Sequence, residues 1–86
     1  MSNKQAELLR YYAYSRPGGL GGAFATAIST ALRSLGSGYS PPSEDIAQLR
    51  DRGDKLAAFP ELESAVAALL QTVESEARSR ERVMGG

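Results

Sequence analysis

Apolar residues recur along this chain in four blocks, each at helical intervals and each bounded by glycine or proline. In the first, Leu8, Leu9, Tyr12 and Ala13 share one broad face of a helix predicted over residues 2–14, while Lys4, Glu7 and Arg10 point elsewhere. Ser2 and Gln5 stand three apart at its start, the spacing of a reciprocal cap in which each side chain meets the other's backbone N–H. The block ends at Ser15 to Gly22, where Arg16-Pro17 disfavours helical geometry and Gly18, Gly19, Gly21 and Gly22 allow tight turning.

The second block spaces Phe24, Ile28, Leu32 and Leu35 by four, four and three, one apolar ridge on a helix over 21–35. It lies in a stretch of sixteen uncharged residues between Arg16 and Arg33 that is dominated by Gly, Ala, Ser and Thr. Ala23, Ala27 and Ala31 make one small-residue row, and Gly22, Thr26 and Thr30 make another beside it. Small side chains let a neighbouring backbone come close, so Gly22, Phe24, Ala27, Ile28 and Ala31 are the expected packing surface, within the fold and against a second copy. A membrane span of such content is excluded by length and polarity, since a span needs about 20 predominantly apolar residues.

Gly36 to Pro42 is a loop by composition, with Gly36 placed to end the second helix in the left-handed conformation. Ser43 then stands as a cap, followed by Glu44 and Asp45 in the favourable first turn of a helix over 43–58. Ile46, Leu49, Gly53 and Leu56 follow it at three, four and three. Gly53 is either a point of close packing inside one continuous helix or a stop, after which Asp54 caps a short second segment; the continuous helix is the expectation. Phe59-Pro60 opens the last helix, over 60–83, in which Leu62, Val66, Leu69 and Val73 form a stripe broadened by Ala65, Leu70 and Ala77. Its tail pairs Glu74 with Arg78 and Glu76 with Arg80 at i, i+4, which marks a solvated end.

The fold class that follows is all-α: one domain, a small bundle of three to four helices whose third and fourth helices form a C-terminal antiparallel hairpin, with the second packed between that hairpin and the first. Composition adds a constraint. Leu, Ile, Val and Phe together are only 17 of 86 residues, and 13 alanines supply much of the remaining apolar content. Alanine favours helix but buries little area, so self-association or a partner protein is the expected source of further apolar contact.

Net charge is zero, yet residues 1–42 carry +3 and residues 43–86 carry −3. An overall neutral chain does not fit a dedicated duplex-DNA binder, which carries a basic domain. The first fifteen residues hold Lys4, Glu7 and Arg10 and lack the apolar stretch of a secretion signal, so a cytoplasmic location without membrane attachment is expected. The absence of cysteine and histidine removes disulfides, thiolate nucleophiles, the usual zinc ligands and the commonest neutral-pH acid or base. The Ser, Thr, Tyr, Lys and carboxylate groups that remain fall into no catalytic spacing, so neither enzyme activity nor a metal or cofactor is expected.

One cluster stands out for binding. Arg10, Tyr11, Tyr12, Tyr14 and Arg16 fall within seven residues, and Tyr and Arg are the types enriched where proteins meet partners. On a helix Tyr12 falls about 100° from Tyr11, on the side of Leu8 and Leu9, so Tyr12 belongs to the core and Tyr11 and Tyr14 to the surface. Arg10, Tyr11, Tyr14, Arg16, Gly18 and Gly19 are therefore the candidate binding residues. The first expectation is a non-catalytic protein-binding module, an adaptor or inhibitor that is also a homo-oligomer. The second is a nucleotide binder in which the tyrosines stack on a base and the glycine turn cradles phosphate, although neither a strand nor a lysine-bearing phosphate loop accompanies those glycines. The tail RSRERVMGG interleaves arginine with glutamate, which cancels most of its field and leaves a solvated helix end.

Overall fold

In a computed structural model, which describes residues 1–15 and 20–85, the chain forms four α-helices and one short 3-10 turn, with no strand among the described residues. The helices are α1 (Asn3–Ser15), α2 (Gly22–Ser34), α3 (Ser43–Arg50) and α4 (Pro60–Gly85). The expectations placed on Arg16, Gly18 and Gly19 lie outside the described residues.

Local chemistry sets most of the helix ends. Ser2 and Gln5 form the reciprocal cap: the Ser2 N–H donates to Gln5 Oε1 at 2.9 Å and the Gln5 N–H to Ser2 Oγ at 3.2 Å. At the end of α2, serine hydroxyls take up the carbonyls that the helix leaves without partners. Ser34 Oγ donates to the Ala31 carbonyl at 2.7 Å and Ser37 Oγ to the Ser34 carbonyl at 2.6 Å. Gly36 then turns the chain at φ +74°, and its N–H donates to Glu76 Oε1 at 3.1 Å, fastening the loop to α4.

The third helix departs from expectation in two ways. Its cap is Pro42, whose carbonyl accepts from the Asp45 and Ile46 N–H groups at 3.0 and 3.2 Å; Ser43 is the first helical residue and makes no capping bond. The helix also stops at Arg50 instead of running to residue 58, and a 3-10 turn over Asp54–Leu56 follows. Asp51, Gly53 and Asp54 supply little helix propensity, and Arg52 Nη1 closes the end by donating to the Leu49 carbonyl at 3.0 Å. Gly53 is therefore a stop and not a close-packing point: a Cβ built on it meets nothing within 4 Å. Leu49 before the break, and Leu56 and Phe59 after it, are all buried.

α2 lies against α1, α3 and α4, which explains its small side chains. Phe24, Ala25, Ala27, Ile28 and Ala31 are buried on it and meet Leu9 and Ala13 from α1, Leu49 from α3, and Leu62, Val66, Leu69 and Val73 from α4. Leu32 and Leu35, at the end of the ridge, are only partly covered. The core therefore closes within one copy of the chain. α4 runs on past it, which stretches the molecule to 45 Å along its long axis and gives a radius of gyration of 12.9 Å, against about 12 Å for an ordinary domain of this length.

Candidate functional site

The inner and outer faces of α1 are chemically distinct. Leu9 and Ala13 are buried, Leu8 and Tyr12 are partly buried against the core, and Lys4, Glu7, Arg10, Tyr11 and Tyr14 are exposed. The turn of about 100° per residue separates adjacent Tyr11 and Tyr12 into these two environments, as the apolar spacing implied.

Tyr12 is the anchor. Its ring packs edge-on against Phe59 at 5.4 Å between centroids and 76° between planes, and its hydroxyl donates to the Glu61 carboxylate. That bond raises the Tyr12 phenol above its ordinary range, with desolvation and the nearby carboxylate charge acting the same way. The hydrogen bond from Tyr12, helped by one from its own backbone N–H, lowers the Glu61 carboxyl. Tyr11 leans on this fixed ring, with centroids 5.4 Å apart and planes tilted by 47°. The chain of support runs from Phe59 and Glu61 through Tyr12 to Tyr11.

Beyond that support the outer face is open. Tyr11 is 54% and Tyr14 66% exposed, and among the described residues the side chains of Lys4, Glu7 and Arg10 have neither an ion-pair nor a hydrogen-bond partner. Arg10, Tyr11 and Tyr14 therefore come together on one accessible helix surface. Such a face offers broad aromatic area with polar tips, suited to a partner that brings apolar contact and a few charges.

The residues expected to pack against a second copy have another place. Phe24, Ala27, Ile28 and Ala31 are each at most 1% exposed in a single copy, so their area is consumed inside it. Gly22 is exposed, with nothing within 4 Å of a built Cβ. The expected tail pairing also divides: Glu76 and Arg80 stand 3.9 Å apart, but Glu74 reaches across to Arg50 at 2.7 Å rather than along the helix to Arg78.

Two surface features were not anticipated. Tyr39, in the loop before α3, is 50% exposed. Between α3 and α4 lies an open cleft of about 280 Å³ with Ile46, Val73 and Ala77 as apolar lining and Arg50, Glu74 and Arg78 among its polar residues. Loop composition alone marked the first, whereas the second exists only because two helices from separate parts of the chain meet. Among the described residues no group of three His, Cys, Asp or Glu side chains could hold a metal, and no helix is long and apolar enough to cross a membrane. No family model matches the chain, and neither a curated protein nor a solved structure matches it significantly.

Proposed function

We propose that this chain is a non-catalytic protein-binding module, an adaptor or inhibitor, whose contact surface is the outer face of α1. The observation that carries the proposal is the pair Tyr11 and Tyr14, more than half exposed beside Arg10, which has no ion-pair or hydrogen-bond partner among the described residues, on a helix whose other face is committed to the core. Tyr and Arg are among the residues that most often dominate binding energy, because each offers large rigid area with a polar tip. Homo-oligomerisation belongs to the same proposal. So does the antiparallel α3–α4 hairpin as the frame behind the face, supported by the Arg50–Glu74 and Arg52–Glu63 pairs at 2.7 and 3.0 Å.

The test is the double substitution Arg10→Ala/Tyr11→Ala. Both side chains are exposed, so helicity and melting temperature are expected to hold while capture of a protein partner is lost. Calorimetric titration of the wild type with mono-, di- and cyclic nucleotides separates the other use of the same residues. Saturable heat that the double variant abolishes would replace the protein-binding proposal with nucleotide binding; a variant that unfolds would show the cluster to be scaffold.

A further inference from the structure

The outer face of α1 is self-complementary, and we infer that its occupant is the α1 of a second copy, packed antiparallel about a two-fold axis. The inference rests on the assignment of that face as a binding surface and adds what binds it and in which register. On the helical wheel Glu7 and Tyr11 flank the outward direction. Glu7 lies on one side with Arg10, Tyr14 and Asn3; Tyr11 lies on the other with Lys4. When two identical helices pair antiparallel about a two-fold axis, each flank meets the same flank of the other copy.

An axis passing midway along the segment from Glu7 to Arg10 therefore brings Arg10 of each copy to Glu7 of the other, giving two equivalent ion pairs. The same operation lays Tyr14 over Asn3 of the other copy, so that hydroxyl and amide meet. On the opposite flank Tyr11 comes near Lys4 of the other copy, where a cation can sit against the ring. A parallel pair sets each flank against the opposite one, which parts Arg10 from Glu7. It is the separation of these residues between flanks that selects the antiparallel pairing.

Three observations agree with this pairing. Glu7 and Arg10 stand three residues apart on one helix, yet make no ion pair with each other, so both charges are available across an interface. Tyr11 is held in place by Tyr12, which lowers the ordering that pairing requires. Four of the five residues named for self-packing on α2 are buried in one copy, which leaves that helix little apolar area for a second copy, whereas Tyr11 and Tyr14 on α1 are more than half exposed. A two-fold axis also satisfies both faces at once and closes the assembly at two copies. One helix pair buries less than the roughly 800 Å² per partner of a standard interface, so the dimer is weak and reversible.

Sedimentation equilibrium over a concentration series reaching the millimolar range tests the pairing, with circular dichroism to verify that each variant is folded. The wild type should pass from monomer to dimer without larger species, and added salt should weaken the dimer. Tyr11→Ala/Tyr14→Ala should weaken it about tenfold or more. Glu7→Arg and Arg10→Glu, each of which sets like charges face to face, should both weaken it, and the combined Glu7→Arg/Arg10→Glu exchange should restore it to near the wild-type constant. A wild type that stays monomeric throughout overturns the pairing, and if it still loses a protein partner on Arg10→Ala/Tyr11→Ala, the binding face itself stands. A dimer indifferent to the tyrosine substitutions overturns the pairing, and partner capture unaffected by Arg10→Ala/Tyr11→Ala overturns the binding face as well. A dimer that the tyrosine variant breaks but the charge exchange does not restore overturns the antiparallel register.

Discussion

Replacing Ala27 by Leu tests the central place of α2 directly. Ala27 has no exposed surface, and the helix that carries it lies against three others. Leucine adds three carbon atoms there. In an accommodating site their burial would stabilise by about 0.8 kcal/mol each. In a close-packed site they force off-rotamer side chains or a shift of the neighbouring backbone, and the net effect is a loss of about 1 to 3 kcal/mol. For a domain of this size each kcal/mol moves the melting temperature by about 4 to 8 °C, so a fall of about 4 to 24 °C is expected. The control is Ala23→Leu, the same chemical change one helical turn earlier on the same helix, at an exposed position. Both substitutions alter helix propensity equally, so any difference between them is packing, and the control should stay within about 0.5 kcal/mol. Thermal and urea unfolding followed by circular dichroism measure both. An Ala27→Leu protein that melts with the wild type would mean that the contacts around α2 are loose, and the account of its small side chains would fall.

Gly36→Ala should cost about 1 to 2 kcal/mol of stability, read from the urea midpoint, because φ is +74° while a built Cβ meets nothing within 4 Å, so the loss is purely conformational. Stability should be bounded in pH by the Tyr12–Glu61 pair. The Glu61 carboxyl is lowered in the fold, so its contribution is complete above the unfolded value of about 4.3 and is lost as pH falls through the folded value. The Tyr12 phenol is raised, so its contribution is complete below about 10 and is lost as pH rises through the folded value. Tyr12→Phe keeps the ring against Phe59 and removes the hydroxyl, so it should flatten both flanks of the melting temperature against pH profile; unchanged flanks would mean that the bond does not form in solution. Ser2→Ala removes one half of the reciprocal cap and should cost up to about 1 kcal/mol, seen as extra fraying of α1 in amide exchange.

The sequence by itself determined the helical elements whose signals are local. The Ser2–Gln5 cap, the glycine terminator at Gly36, the proline start at Pro60 and the long stripe from Leu62 to Val73 each depend on residues within one or two turns, and each forms as the spacing required. The division of Tyr12 from Tyr11 and Tyr14 was legible for the same reason, since helical periodicity fixes which side chains share a face whatever packs against it. Tertiary structure decided the rest. α3 stops at Arg50 and a 3-10 turn over Asp54–Leu56 follows, with Leu49, Leu56 and Phe59 buried on the two sides of the break, a choice that propensity around Gly53 left nearly balanced. The same closure consumed Ala27, Ile28 and Ala31 inside one copy, because a small-residue face records that something approaches closely but not whether that neighbour belongs to the same chain. Glu74 likewise chose Arg50 on another helix over Arg78 on its own, since an exposed i, i+4 pair contributes only a few tenths of a kcal/mol and yields to any cation that the fold brings nearer.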